Sequence, residues 1–209
     1  YIAIEGNIGA GKTTLGRLLS EHTRARLFLE EVDDNPFIER FYEDPRSGAL
    51  PAQLFFLFQR VRQIEGMRQA DMFQPVRVSD FLIEKDRLFA GLTLEAEELK
   101  LYEQVYAHVT VDAPVPDLVI YLQAPVDVLL KRIARRGISY ERRIDADYLR
   151  RLSEAYARMF LDYDAAPLLI VNAANINLVD SDEDYAALLE QIHSTRRGIQ
   201  YFNPMSAAI

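Results

Sequence analysis

The sequence predicts an α/β fold in which helices cover both faces of a parallel sheet. Short apolar segments alternate along the whole chain with segments of helical periodicity. A glycine-rich loop joins the first apolar segment to the first helical one, and no repeat or linker interrupts the pattern. Parallel strands joined by helices are buried on both faces, which explains why the strand segments are so uniformly apolar. We therefore expect residues 1–209 to form a single domain.

The individual elements follow from apolar periodicity and from turn residues. We predict strands at 1–5, 25–31, 75–80, 116–124 and 167–173. We predict helices at 12–22, 35–44, 51–70, 95–109, 125–137, 145–163 and 181–197. Pro36 suits the first turn of the second helix, Gly137 ends the fifth, and Ser181 caps the last. We expect the tail from residue 198 onward to pack loosely or to cross to a neighbouring chain.

Composition excludes several classes of protein. The net charge of −8 and the pI near 5.0 argue against general binding to a nucleic acid polymer, which favours a basic face. The chain has no cysteine, which excludes disulfides and thiolate metal sites. It shows no apolar run of the roughly 18 residues that a membrane helix needs and no signal-peptide pattern. We therefore expect a cytoplasmic protein without a membrane partner.

The stretch GNIGAGKTT satisfies the spacing G-x-x-x-x-G-K-T with Gly6, Gly11, Lys12 and Thr13. Glycines let backbone N–H groups point at an anion, and the following helix adds its N-terminal dipole. The lysine reaches the β- and γ-phosphates, and the threonine hydroxyl binds Mg²⁺. The motif therefore predicts that ATP and Mg²⁺ bind here, rather than an ordinary glycine turn. The predicted nucleotide-binding residues are Gly6, Asn7, Gly9, Ala10, Gly11, Lys12, Thr13 and Thr14.

A basic cluster at the end of the fifth predicted helix suggests a kinase. Lys131, Arg132, Arg135 and Arg136 precede the segment ISYERR. Small kinases close an arginine-bearing lid over the transferring phosphoryl group, whose charge must be neutralised. We place this lid at about residues 133–144. The alternative is a solvated helix end that complements the helix dipole, and it stays open for Lys131 and Arg135 in particular.

Several segments resemble, in the right order, those of the deoxynucleoside kinases. They are YIAIEGNIGAGKTTL, LFLEEVDDNPF, FYEDP, LPAQLFFLFQR and KRIARRGISYERRIDADYL, and the resemblance runs from residue 1 to about residue 172. It implies a three-layer P-loop kinase fold with a five-stranded parallel sheet of order 2-3-1-4-5 and a short lid. It also implies transfer of the ATP γ-phosphoryl group to the 5′-hydroxyl of a deoxynucleoside. The resemblance further implies a dimer, so we expect a homodimer, with a heterodimer as the alternative.

The resemblance implies roles for individual residues. Glu30 matches the family's general base, and it acts with Lys12, Arg132 and Arg136 in catalysis. Glu31 replaces a family proline and competes with Glu30 by adjacency, but side chains alternate along a strand, so only one of the two points into the site.

Other matches concern the deoxynucleoside itself. Tyr42 matches a tyrosine that contacts the sugar 3′-hydroxyl, although it could instead be an aromatic packing residue. Gln53 and Arg60 match residues that contact the base, and Phe56 lies between them where it could stack on the base. Glu141 matches an acid of the lid that touches the 3′-hydroxyl.

The largest departure from the family pattern follows the third predicted strand. The family carries Glu-Arg-Ser there, whereas this chain reads VSDFLIEKDRLFA. In one register Asp80 replaces the glutamate as a ligand of Mg²⁺ beside Thr13, and Asp86 and Arg87 match a family Asp-Arg pair. In another register Asp80 stands opposite the arginine, and Lys85 comes near the base. A structural helix cap is a third role for Asp80.

The segment SDF followed by lysine resembles the bacterial deoxyguanosine and deoxyadenosine kinases, which favours a purine substrate. A nucleoside monophosphate kinase of the thymidylate type is the nearest rival, because it shares the fold and the lid. A non-catalytic partner subunit is the rival from another class, since the strand-three motif is altered.

Overall fold

The computed structural model of the chain describes residues 1–68, 76–109 and 113–204. Its centre is a six-stranded parallel sheet of order β2-β3-β1-β4-β5-β6. The strands are β1 (Ile2–Gly6), β2 (Arg26–Phe28), β3 (Arg77–Ser79), β4 (Leu118–Gln123), β5 (Leu168–Asn172) and β6 (Ile199–Phe202). The predicted order of the first five strands is confirmed, and a sixth strand extends the sheet beyond β5.

Helices connect the strands and supply the outer layers. They are α1 (Lys12–Thr23), α2 (Ile38–Glu43), α3 (Pro45–Arg68), α4 (Lys85–Thr93), α5 (Ala96–Val109), α6 (Val126–Arg136), α7 (Ala146–Leu161) and α8 (Asp182–Ser194). Two short 3₁₀ helices lie at Val32–Asp34 and Tyr140–Arg143. Within the described ranges, no helix is both long and apolar enough to span a bilayer.

Strand β4 shows how one sheet builds two cores. Ile120 and Leu122 point to the face covered by α1, α6 and α8, where they join Leu15. Tyr121 points to the opposite face, where it stacks with Tyr156 of α7. All of these side chains are buried, which confirms the three-layer arrangement that the apolar strands predict.

The structure differs from the prediction in the tail, in helix α4 and in the start of helix α3. The tail is not loosely packed, because Ile199–Phe202 pairs in parallel with β5 as an edge strand. Helix α4 was not predicted, since its nine residues begin with the charged pair Lys85 and Asp86, both buried. Helix α3 begins at Pro45 rather than at Pro51; both prolines fit a first helical turn, and the earlier one occupies it. Positions 69–70 of the third predicted helix, position 75 of the third predicted strand and positions 205–209 of the tail lie outside the described residues.

The strand order determines where the chemistry gathers. Because β3 lies between β2 and β1, the loop after β3 lies between the loop after β2 and the glycine-rich loop after β1. Ligands of open parallel sheets bind at the carboxyl ends of the strands, where such loops meet. Glu30, Asp80 and Lys12 follow these three strand ends.

Candidate active site

The glycine-rich loop forms a cradle between β1 and α1. Gly6 has φ of 151°, and a Cβ there would lie 2.5 Å from the carbonyl oxygen of Leu122, so only glycine fits this position. The Lys12 ammonium folds over the loop and donates to the carbonyl oxygens of Gly6 at 2.9 Å and Asn7 at 3.2 Å. Burial, and then the nearby charge of Lys85, lower the pKa of Lys12 to about 8. A cation held in this way over an N-terminal helix end suits an incoming phosphate.

Asn7 anchors the loop to α7 through its side chain. Its Nδ2 donates to the Leu149 carbonyl at 2.9 Å and to Ser153 Oγ at 2.8 Å, and its Oδ1 accepts from Ile8 N at 2.8 Å. The side chain of Ala10 is buried in the core, so this residue offers only backbone atoms to a phosphate. The predicted loop residues therefore divide into members that present groups to a ligand and members that hold the loop in shape.

Thr13 and Asp80 form a pair with the chemistry of a magnesium site. Thr13 Oγ1 donates to Asp80 Oδ2 at 2.9 Å, and the backbone N–H of Glu30 donates to Asp80 Oδ1 at 2.8 Å. A hydroxyl and a carboxylate are oxygen ligands that Mg²⁺ accepts, and Mg²⁺ commonly takes one or two protein ligands beside substrate phosphates. Within the described ranges, no group of three His, Cys, Asp or Glu side chains is arranged to hold a metal without such help.

Glu30 is the carboxylate at the centre of the site. Its Oε1 pairs with Arg60 and its Oε2 with Lys85, and its side chain is 11% exposed. Burial raises its pKa, but the two cations outweigh burial and hold the pKa of Glu30 at about 2. Neighbouring Glu31 is exposed, so the carboxylate in the site belongs to Glu30.

Helix α3 lines the other side of the cleft with three predicted residues. Gln53 is buried, and its Nε2 donates to Thr93 Oγ1 at 3.3 Å. Two turns further along, Arg60 is buried and pairs with both Glu30 and Asp86. The Phe56 ring lies 5.3 Å from the Arg60 guanidinium. The structure thus places the guanidinium next to Glu30 and the aromatic ring next to the guanidinium, while the amide lies two turns earlier on the same helix.

The segment after β3 adds two residues that the sequence left between two registers. Asp80 lies at the strand end beside Thr13, while Phe81 is buried in the core rather than in the cleft. Lys85 and Asp86 open α4, and they contact Glu30 and Arg60 respectively. The signal in the sequence was the pair of opposite charges that begins six residues after the strand. Only the structure of the turn between β3 and this pair shows where each charged side chain lies.

Glu5 of β1 holds the turn between β3 and α4 in place. Its carboxylate accepts from Leu82 N at 2.6 Å, from Gly6 N at 3.2 Å and from the Tyr156 hydroxyl at 2.9 Å. It is fully buried, and burial raises its pKa. Glu5 therefore ties together the glycine-rich loop, α7 and the start of the segment that carries Lys85, a role that the sequence did not reveal.

The predicted lid contacts Tyr42 and Asp33 through Tyr140. The ring of Tyr42 stacks on that of Tyr140 at a centroid distance of 5.7 Å and an interplanar angle of 13°. The Tyr140 hydroxyl donates to Asp33 Oδ1 at 2.6 Å. Glu141 is buried and pairs with Arg136, whose Nε donates to Glu141 Oε2 at 3.0 Å. Tyr42, Glu141 and Arg136 are therefore neighbours at the lid.

The basic side chains at the end of α6 differ in their contacts and in their exposure. Arg132 turns inward and donates to the carbonyl oxygens of Ala10 at 3.2 Å and Ala173 at 2.7 Å. Lys131 is exposed and pairs with Asp127 at 3.6 Å. Arg135 is also exposed. Lys131 and Arg135 are thus exposed in this structure, Arg132 contacts the glycine-rich loop, and the partly exposed Arg136 pairs with Glu141.

Comparison with known proteins shows the family. The family described as "Deoxynucleoside kinase" matches residues 2–196. The chain belongs to the deoxynucleoside kinase family. A relative named deoxyguanosine kinase, from Bacillus subtilis (strain 168), is 39% identical over 160 residues, which are 75% of this chain and 76% of the relative. A deoxyadenosine kinase from Lactobacillus acidophilus is 30% identical, over 95% of this chain and 97% of the relative.

A solved deoxynucleoside kinase has the same fold. The structure of a deoxyadenosine kinase from M. mycoides with bound dATP superposes with a TM-score of 0.79 at 25% sequence identity. The match covers 92% of this chain and 99% of the other. The predicted α/β kinase fold and the resemblance to the bacterial purine-type enzymes are therefore confirmed, apart from the additional strand β6.

Proposed function

We propose that this deoxynucleoside kinase transfers the γ-phosphoryl group of ATP to the 5′-hydroxyl of a purine deoxynucleoside in nucleotide salvage. The observation that carries the proposal is the position of Glu30. Its backbone N–H donates to Asp80, which accepts from Thr13 on the phosphate-binding side, while its carboxylate pairs with Arg60 of α3. A base placed between a phosphate cradle and a nucleoside pocket suits a neutral hydroxyl acceptor.

The donor side would hold ATP and Mg²⁺. The loop backbone and Lys12 bind the phosphates, and the Thr13 hydroxyl and Asp80 carboxylate hold the metal. Mg²⁺, when bound, neutralises charge on the phosphate oxygens. Asp80 also accepts from the backbone N–H of Glu30, so one carboxylate positions both the metal side and the base.

The acceptor side would hold the nucleoside along α3 and the lid. The Gln53 amide offers both a donor and an acceptor to a base edge, Phe56 stacks on the base, and Arg60 donates to it. Tyr42 and Glu141 bind the sugar 3′-hydroxyl, and their contacts to the lid bring the sugar under it. Glu30 then accepts the proton of the 5′-hydroxyl as that oxygen attacks the γ-phosphorus.

The lid arginines would neutralise the transferring group. The Arg136 side chain is 44% exposed and pairs with Glu141, so it can turn toward a phosphate from the position it holds. Arg132 bridges the glycine-rich loop and the end of β5, where its charge lies beside the donor phosphates. Positioning and charge neutralisation of this kind supply most of the catalysis in phosphoryl transfer.

The rival assignments fit the site less well. A monophosphate acceptor would bring its own negative charge against the ionised carboxylate of Glu30. A non-catalytic subunit would not need Thr13, Asp80 and Glu30 joined by hydrogen bonds, next to a phosphate loop that carries Lys12. The purine preference is supported by the named relatives, one a deoxyguanosine kinase and the other a deoxyadenosine kinase. We also propose a cytoplasmic homodimer of single-domain chains, which light scattering of the purified protein would test.

A substrate panel tests the proposal. Purified protein receives Mg-ATP with deoxyguanosine, deoxyadenosine, deoxycytidine or thymidine, and with dTMP as the control acceptor. We expect 5′-monophosphate from at least one deoxynucleoside, with deoxyguanosine or deoxyadenosine used best. Activity on dTMP alone would move the chain to the monophosphate kinases. Inactivity on all five acceptors, with ATP still bound, would favour the partner subunit.

A further inference from the structure

Lys85 places a buried ammonium group beside the carboxylate of the proposed base. Its side chain is 3% exposed and pairs with Glu30 Oε2. The same ammonium lies 5.7 Å from the centre of the Phe89 ring. Removing a charged amine from water is costly unless partners compensate, so a lysine in this position calls for a reason.

The turn after β3 delivers this charge to the site. Phe81 directly follows Asp80, but its side chain enters the core and brings no charge to the cleft. Glu5 then holds Leu82 N at 2.6 Å, and the chain turns so that α4 begins with Lys85. The strand end therefore supplies the acid, and the first residue of the next helix supplies the cation.

The two cations bind different oxygens of the Glu30 carboxylate. Arg60 pairs with Glu30 Oε1 and with Asp86, and it packs against Phe56 on the nucleoside side. Lys85 takes the other oxygen, Oε2. Glu30 itself is tied to the phosphate side, because its backbone N–H donates to Asp80 Oδ1 and Thr13 Oγ1 donates to Asp80 Oδ2.

We propose that Lys85 is a further catalytic residue, which leaves Glu30 during the reaction and donates hydrogen bonds to the oxygens of the transferring phosphoryl group. This inference rests on the proposed function. In the step, the 5′-oxygen forms its bond to the γ-phosphorus while the bond from that phosphorus to the bridging oxygen breaks. The electron pair of the broken bond leaves with ADP, and the hydroxyl proton passes to Glu30. Lys85 keeps its protons throughout and stabilises charge only.

The geometry gives this exchange a reason. Arg60 and Lys85 together occupy both oxygens of the Glu30 carboxylate. An incoming phosphoryl group brings negatively charged oxygens close to Glu30. The ammonium of a lysine is a flexible point charge that can donate to these oxygens instead of to the carboxylate. Transfer of Lys85 to the phosphoryl oxygens frees one carboxylate oxygen for the proton.

Ligand binding separates direct contact from a purely structural role. Calorimetry would measure the affinity of wild type, Lys85→Met, Lys85→Gln and Lys85→Arg for deoxyguanosine and for deoxyguanosine 5′-monophosphate, or for the pair belonging to the preferred base. Loss of a charge-assisted bond should weaken binding of the monophosphate to Lys85→Met by about 10- to 100-fold. Binding of the nucleoside should change by no more than about threefold, since that ligand carries no phosphate.

Turnover gives the second readout. We expect kcat of Lys85→Met to fall by about 100-fold or more, as when one donor to a transition-state oxyanion is removed. Lys85→Arg keeps the charge and should recover part of this loss, whereas Lys85→Gln should not. Lys100→Met is the matched control, because Lys100 is an exposed lysine whose partner Glu97 lies on the surface of α5.

The outcomes separate the two proposals. Equal weakening of nucleoside and monophosphate by Lys85→Met would mean that Lys85 only shapes the pocket, and would overturn the inference. Unchanged monophosphate affinity would overturn it too. If Lys85→Met does not fold, Lys85→Gln and Lys85→Arg carry the same comparison. A wild-type protein that phosphorylates no deoxynucleoside would defeat the proposed function, and this inference with it.

Discussion

Thr13 Oγ1 donates a 2.9 Å hydrogen bond to Asp80 Oδ2, so that the end of β3 is joined directly to the start of α1. This contact exists because β3 is the neighbour of β1 in the sheet, although the two residues are 67 positions apart in the chain. It joins the phosphate loop and the segment after β3 into one site.

Asp80→Asn should reduce turnover and weaken the response to Mg²⁺. The amide can still accept from Glu30 N, so the fold should hold, but a charged metal ligand is lost. We expect kcat to fall by about 100-fold, or roughly 2.7 kcal/mol of transition-state stabilisation. The half-saturating Mg²⁺ concentration should rise as well. Asp127→Asn, on the exposed face of α6, is the control, and equal behaviour of the two variants would contradict the metal assignment.

Gln53→Leu should weaken binding of the deoxynucleoside and leave binding of ATP unchanged. Gln53 lies on α3, away from the phosphate loop, and its amide is buried. Loss of a base contact should raise the KM for the deoxynucleoside by about tenfold. Steady-state kinetics with each substrate varied in turn would measure this effect, with Gln104→Leu on the exposed face of α5 as the comparison. A rise in the KM for ATP instead would place Gln53 in the wrong subsite.

Tyr156→Phe should destabilise the protein. The Tyr156 hydroxyl bonds at 2.9 Å to the buried carboxylate of Glu5. Losing one partner of a buried charged group costs about 1–3 kcal/mol. Each kcal/mol corresponds to roughly 2–4 °C of Tm for a chain of this size. Thermal unfolding of Tyr156→Phe beside Tyr201→Phe, whose ring is exposed, measures the effect, and indistinguishable melting temperatures would refute it.

Asp86 should make stability fall with rising pH. Burial raises the pKa of Asp86 to about 7; Arg60 opposes this rise but is shared with Glu30. Asp86 Oδ2 has no hydrogen-bond partner among the described residues. The folded state therefore binds more protons than the unfolded state between about pH 4 and pH 7, so the free energy of unfolding decreases as the pH rises through that window.

Asp86→Asn removes this titration and serves as the comparison. The Tm difference between wild type and Asp86→Asn should become less favourable to wild type from pH 5 to pH 7.5. A difference that stays constant, or that changes in favour of wild type, would mean that Arg60 keeps Asp86 ionised in the folded protein.

The sequence predicts the framework of this protein well because the signals are local. Alternating apolar segments predict the sheet, and the glycine spacing predicts the loop that folds over the Lys12 ammonium. The edge strand β6 was not predicted, because Ile199–Phe202 is short and only partly buried. Its pairing with β5 is a long-range contact that the tail's own residues do not indicate.

The site is predictable only where a residue follows a strand or lies on a regular helix. Glu30, which follows β2, meets Arg60, and Gln53 lies two turns before Arg60 on the regular helix α3. Lys85 and Asp86 depend on an irregular turn that Glu5 fixes from another strand, so neither register could be chosen from the sequence. The inward turn of Arg132 likewise depends on the carbonyl oxygens of Ala10 and Ala173, which are distant in the chain.

The turnover of Glu30→Gln with the best deoxynucleoside of the substrate panel shows whether Glu30 is the base. An amide cannot accept the 5′-hydroxyl proton, so we predict a loss in kcat of about 100-fold or more, with ATP still bound by a folded protein. The Tm should fall, because Lys85 and Arg60 lose the charge that they pair with. The exposed neighbour variant Glu31→Gln should keep wild-type turnover. Turnover of Glu30→Gln within about threefold of wild type would show that Glu30 is not the base, and would contradict the mechanism proposed for this site.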